Sequence, residues 1–309
     1  MLTLLTLFAS FAFIEPDLAP EAPTQAVVVV ETPVAMVMES TKDIQYINRP
    51  WTRKALTSLD VYQPVREDGY EDATVDRPIL IFIHGGGWAF GDKKRLEHKA
   101  EMALRNGWVY VSINYRLSPR VKHPEHSRDA AAAIAYVRDH AEEFGGDPDN
   151  IVIMGHSAGA HIAGIVASDE DLLGEYEMQP SELNGVVLLD GAGYDIPNQM
   201  NSRALNGTTR KMYENAFGED EDVWVQASPT LQAKPGDDLP PLLAVHIDRY
   251  QSRLETPKLV EAWQKSGAEA QLHYAPEPDH KGINTNIGIK NDPDSQVVEV
   301  FILKAFTQD

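Results

Sequence analysis

The pentapeptide Gly155-His156-Ser157-Ala158-Gly159 lies between two segments that leave it little freedom. Residues 150–154 (Asn-Ile-Val-Ile-Met) predict a short buried strand, and residues 158–167 predict a helix of small residues packed closely on a sheet. The chain must therefore turn from strand into helix within the pentapeptide itself. Gly155 and Gly159 suit such a turn because a β-carbon at either position would crowd it. A serine held there has its hydroxyl pushed into the open at a helix N-terminus, where backbone dipoles favour negative charge developing on a bound substrate. Without the flanking strand and helix, the same five residues would be an ordinary glycine-rich turn.

A second string, His84-Gly85-Gly86-Gly87-Trp88, follows the apolar run at 78–83 (Pro-Ile-Leu-Ile-Phe-Ile). Three successive residues without side chains let the backbone approach a ligand and aim N–H groups at it. A carbonyl oxygen turning into an oxyanion needs two or three such donors, and the main-chain N–H groups of Gly86, Gly87 and Ala158 are assigned to that task. A phosphate-cradling loop is the competing reading, but no Gly-Lys-Ser/Thr follows the glycines and no G-x-G-x-x-G spacing is present. His84 is expected to brace the loop, and Trp88 and Phe90 either to wall the pocket or to pack the loop.

With both strings in this order, the sequence resembles the α/β-hydrolase serine esterases with an HGGG oxyanion loop, the hormone-sensitive-lipase-like and arylformamidase-like carboxylesterases. The likeness extends over Ser112-Ile113-Asn114-Tyr115-Arg116-Leu117-Ser118-Pro119, His123-Pro124-Glu125-His126 and Glu143-Phe144-Gly145-Gly146-Asp147-Pro148, and covers roughly residues 45 to 308. It implies an α/β-hydrolase fold with a mainly parallel central sheet and helices on both faces. It also implies a triad in the chain order Ser, Asp or Glu, His, with Ser157 as nucleophile. Asp279-His280-Lys281-Gly282 resembles the family's histidine loop, which makes His280 the general base. The acid is expected a few residues beyond the penultimate strand, where the chain reads His246-Ile247-Asp248-Arg249-Tyr250. Asp248 is the choice; a count from His246 instead puts Tyr250 at the acid's place. A buried carboxylate can stabilise an imidazolium and a neutral tyrosine cannot. Glu255, Asp195 and Asp190 are the reserves.

The rest of the chain is consistent with an enzyme of this type. Its 309 residues, 43% of them hydrophobic, can build one large α/β domain or two small ones. The chain has no cysteine, so neither a disulfide framework nor a thiolate metal site can form. No cofactor is expected, and the His123 and His126 pair is too small a set to hold a metal ion. A net charge of −20 argues against nucleic acid or an anionic membrane as partner, leaving a small-molecule ester and an open oligomeric state. Residues 2–14 have the length of a signal-peptide apolar segment, without a preceding Lys or Arg, and are too short to span a bilayer. Export to a periplasm or medium is expected, with a cytoplasmic location the alternative. Residues 15–39, rich in Pro, Glu and Ala and interrupted by Val27-Val28-Val29-Val30, read as linker, so that residues 1–40 precede a catalytic domain at 41–309.

Within that domain strand-like segments at 43–46, 57–62, 107–113, 185–189, 242–245 and 270–274 alternate with helical ones at about 124–144 and 295–306. Residues 193–238 interrupt the alternation and are a candidate cap over the carboxyl edge of the sheet, or a surface excursion. His156 and His161 are expected to point away from the serine between them. The reaction expected is cleavage of short-chain carboxylic esters through an acyl-enzyme. An amidase acting on N-formyl aromatic amides would use the same residues, and a non-catalytic binding module would follow if Tyr250 stood in the acid's place.

Overall fold

The computed structural model describes residues 36–67, 76–277 and 279–307. The apolar segment at 2–14 and most of the stretch read as linker, Val27 to Val30 included, lie outside the described residues. The chain runs through β1 (Met36–Gln45), β2 (Ser58–Arg66), β3 (Arg77–Ile83), α1 (Lys99–Asn106) and β4 (Val109–Ile113). It continues with α2 (Glu125–Asp139), β5 (Gly146–His156), α3 (Ala158–Val166), α4 (Glu170–Gly174) and β6 (Gly185–Leu189). Four short helices follow, α5 (Ile196–Met200), α6 (Gly207–Phe217), α7 (Glu221–Gln226) and α8 (Pro229–Gln232). The last third holds β7 (Leu242–His246), α9 (Tyr250–Ser266), β8 (Ala270–Tyr274), α10 (Gly282–Asn286) and α11 (Pro293–Ala305).

The eight strands form one sheet in the order β1-β2-β4-β3-β5-β6-β7-β8. β1 and β2, and β2 and β4, pair antiparallel; from β4 to β8 every pairing is parallel. Parallel strands covered on both faces need apolar residues at every position, which is why residues 79–83, 151–154, 185–189 and 242–245 read as continuous apolar runs, whereas the edge strand β8 is largely exposed. Ile79, Ile81, Ile83, Ile151 and Ile153 face one core with α2, α3 and α9, whereas Leu80, Phe82, Val152 and Met154 face the other with α1 and α11.

This order places a topological switch beside β3. From β3 the chain passes through α1 to β4 on one side, then returns through α2 to β5 on the other. The loops leaving the carboxyl ends of β3 and β5 thus diverge and leave a crevice, the usual ligand position in open α/β sheets. The glycine string at 84–88 and the pentapeptide at 155–159 are those two loops.

Two elements depart from expectation. β1 begins at Met36, five residues before the expected domain start at Thr41, because Met36 to Ser40 pair with Tyr62 to Arg66 along the edge of β2. α9 has no counterpart among the helices that the sequence predicts: Pro257 lies inside it and its exposed face is strongly polar, yet Ser252, Glu255, Thr256, Leu259, Val260 and Trp263 lie on its buried face. Residues 193–238 hold the four short helices, and their side chains reach the crevice, as described below.

Candidate active site

Ser157 joins β5 to α3 with φ 55° and ψ −119°, a backbone region that residues with a side chain seldom occupy. The surroundings force this turn to be built from glycine. A β-carbon on Gly155 would lie 2.2 Å from the Gly159 carbonyl oxygen, and one on Gly159 would lie 2.0 Å from the Ile83 carbonyl oxygen. The first Gly closes the turn, and the second lets α3 sit directly against the end of β3. The Ser157 N–H donates to the Leu189 carbonyl at 3.0 Å, tying the turn to the end of β6.

His280 follows β8 in the turn that opens α10. Its Nε2 is 2.8 Å from Ser157 Oγ, and its Nδ1 is 2.5 Å from Asp190 Oδ2. The carboxylate on His280 is therefore Asp190 and not Asp248. Asp248 side chain is 63% exposed and pairs with Arg253 at 3.0 Å, because the β7 loop turns it toward solvent as α9 begins. Tyr250 is also exposed. Asp195 caps α5 by accepting the Asn198 N–H, and buried Glu255 accepts from the Tyr194 N–H and the Gln199 amide.

Asp190 is fully buried immediately after β6, with φ 41°. Burial opposes its ionisation, but the hydrogen bond from His280, the Arg249 guanidinium and the Ser252 hydroxyl outweigh this and bring its pKa down to about 2. Arg249 Nε donates to Asp190 Oδ2 at 3.1 Å, and Ser252 Oγ donates to Oδ1. Arg249 thus stands in the loop beyond β7, where the family resemblance implies an acid, and supports an acid displaced to the end of β6.

His156 packs beneath the histidine loop. Its Nε2 donates to the His280 carbonyl at 2.9 Å, and the two rings lie 4.6 Å apart. Burial, with the nearby His280 and Lys99 charges, lowers its pKa to about 3, so it is a neutral strut under the histidine loop. His161 donates from Nε2 to the Ala227 carbonyl at 2.7 Å and accepts from Trp88 Nε1 at 3.2 Å. It links the glycine loop to the helices of residues 193–238.

The glycine loop is held from several sides. Gly86 and Gly87 have φ 125° and 57°, and the Gly86 carbonyl accepts the N–H groups of Ala89 and Phe90. His84 is buried, stacks on Tyr115 with ring centroids 4.5 Å apart, and its carbonyl accepts the Tyr115 hydroxyl at 2.9 Å. Trp88 is buried edge-on to Tyr213 and Phe217 of α6, while Phe90 is exposed. His126 pairs with the Ser118 hydroxyl at 3.0 Å, and no cluster of side chains suited to a metal ion occurs among the described residues.

Gly86, Gly87, Ser157, Ala158 and His280 share one cavity of about 700 Å³. Gln199, Thr209, Met212 and Tyr213 close it from the β6–β7 excursion, so that segment contributes to the wall of the crevice. Residues 59–252 match the model of the BD-FAE family. The chain belongs to that family. Both glycine strings, Ser157 and Asp190 lie within the BD-FAE match, and His280 lies beyond its end. Among similar proteins, the probable carboxylic ester hydrolase LipM of Mycobacterium tuberculosis is 32% identical over 182 residues, 57% of this chain and 42% of that protein. The probable isoprenylcysteine alpha-carbonyl methylesterase ICMEL1 of Arabidopsis thaliana is 28% identical over 247 residues, 74% of this chain and 50% of its own. The chain spans about half the length of the curated relatives it matches. Esterase B from Lactobacillus rhamnosis shares the fold, with a TM-score of 0.68 at 19% identity over 89% of this chain and 88% of that one. The fold is that of the α/β-hydrolase esterases.

Proposed function

We propose that this chain is a carboxylesterase-type serine hydrolase that cleaves small-molecule esters through Ser157, His280 and Asp190. The observation that carries the reading is the unbroken line of hydrogen bonds from Ser157 Oγ through the His280 ring to Asp190. In the first step His280 Nε2 takes the Ser157 proton as Oγ attacks the ester carbonyl. The resulting oxyanion lies against the N–H groups of Gly86, Gly87 and Ala158, each worth a few kcal/mol in such a site. Asp190 holds Nδ1–H and stabilises the imidazolium, which then gives its proton to the departing alcohol. Water repeats the sequence on the acyl-enzyme and releases the acid. Trp88, Met212 and Tyr213 limit the cavity, which favours short acyl groups.

Hydrolysis of p-nitrophenyl acetate and butyrate tests this. Ser157→Ala should lower kcat/KM by about 10³-fold or more, with an unchanged circular dichroism spectrum. Activity retained in that variant contradicts the assignment. We also propose export, on the basis of the apolar segment at 2–14; recovery of the full-length chain from the cytoplasm of its source cells would oppose it.

A further inference from the structure

The lining of the cavity does not share the acid excess of the chain. The sequence carries 47 acidic and 27 basic residues, yet the cavity is lined by Arg95, Arg249 and Lys281 against Glu97 and Asp279. Asp279 Oδ1 is turned to the backbone, accepting the N–H groups of Lys281 and Gly282 at 2.9 and 2.7 Å, and Arg249 is paired with Asp190. Arg95 and Lys281 are exposed and have no ion-pair partner among the described residues. The overall charge of −20 is screened beyond about 10 Å in 0.1 M salt, so the cations inside the crevice govern what binds there.

Arg249 is the best placed of the three. Nε donates to Asp190 Oδ2 at 3.1 Å, and Nη2 donates to the Asp190 and Gly191 carbonyls at 3.3 and 2.9 Å. Nη1 has no protein acceptor among the described residues, while the side chain remains 28% exposed and lines the cavity beside Ser157 and His280. A guanidinium held by three hydrogen bonds through Nε and Nη2, with the N–H groups of Nη1 unengaged, loses little freedom on binding an anion at Nη1. Its position also has an electrostatic cost. Arg249 shares Asp190 Oδ2 with His280 Nδ1, so it competes for the charge that must stabilise the imidazolium. A carboxylate brought in by the substrate would offset that cation, and a neutral ester would not.

We propose that Arg249, with Lys281 beside the catalytic histidine, receives a carboxylate carried by the substrate, and that the preferred esters are anionic. The proposal rests on the reading of Ser157 as the nucleophile. Two matched pairs of esters test it by placing the charge on either side of the scissile bond. Mono-p-nitrophenyl glutarate is compared with p-nitrophenyl pentanoate, and 4-acetoxybenzoate with 4-acetoxybenzamide. In the wild type the charged member of at least one pair should have a kcat/KM roughly tenfold higher than its neutral partner. Arg249→Gln disturbs Asp190 and should slow both members. The ratio between them isolates the carboxylate contact and should fall about tenfold, with a smaller fall in Lys281→Gln. A wild-type enzyme that prefers the neutral member in both pairs overturns the proposal. So does a ratio unchanged in Arg249→Gln. Failure to cleave any of the four esters would instead overturn the nucleophile assignment and this inference with it.

Discussion

Asp190 and Asp248 differ in what surrounds them more than in how far they stand from the sheet. One is sealed beneath His280, with an arginine and a serine sharing its oxygens; the other faces solvent beside Arg253. Asp190→Asn should therefore lower kcat/KM by about 10³ to 10⁴-fold, because an amide cannot stabilise the imidazolium or hold its tautomer. Asp248→Asn should leave it within about twofold. Steady-state kinetics on one neutral ester compare the two, and a large loss in Asp248→Asn alone would reverse the assignment. The sequence made Ser157 legible because its neighbours on both sides dictate a strand and a helix. It made His280 legible through its resemblance to the family's histidine loop. Asp190 stood directly after the apolar run at 185–189, but its role depends on Arg249 and Ser252 arriving from the β7–α9 loop and from α9. No local pattern around residue 190 records that arrival.

At the level of elements, the crevice depends on α3 lying hard against β3. The Gly159 β-carbon position is 2.0 Å from the Ile83 carbonyl oxygen, which is backbone and cannot swing aside. Gly159→Ala should push α3 off the sheet, cost about 1–3 kcal/mol of stability and lower kcat more than it alters KM. Thermal melts and kinetics on the same preparation check this; an unchanged melt would show that the contact is relaxed elsewhere. The central parallel strands β3, β5, β6 and β7 were legible because burial on both faces makes their cores continuous apolar runs. α9 was hidden by Pro257 and by a buried face that includes Ser252, Glu255 and Thr256, polar residues that hydrophobic periodicity passes over. The excursion at 193–238 was legible as an interruption, but its place over the glycine loop rests on distant partners. Trp88 meets α6, and His161 reaches Ala227.

Across the whole molecule, the buried histidines set a common response to acid. Burial is the largest cause in each case, lowering His123 to about 4 and His126, His156 and His161 to about 3, from an ordinary 6.5. Each folded pKa lies below its unfolded value, so the unfolded chain binds more protons between pH 6.5 and 3, and stability falls as pH falls through that window. Asp190 adds to the loss between its unfolded value of 3.8 and about 2. Buried Lys99, lowered from 10.5 to about 7, acts in the same direction, with stability rising from pH 7 toward 10. Glu255, pushed up to about 7 by burial, opposes the trend. Melting temperature should therefore climb from pH 4.5 to pH 9. A flat profile by differential scanning calorimetry would contradict a net stabilisation by these buried groups. The most direct test of the site is labelling of the native protein with a fluorophosphonate, which reacts with a serine only when a neighbouring base activates it. Peptide mapping should find a single adduct on Ser157, absent from Ser157→Ala and formed at least about 10³-fold more slowly in Asp190→Asn. An adduct on another serine, or an undiminished rate in Asp190→Asn, would contradict the account.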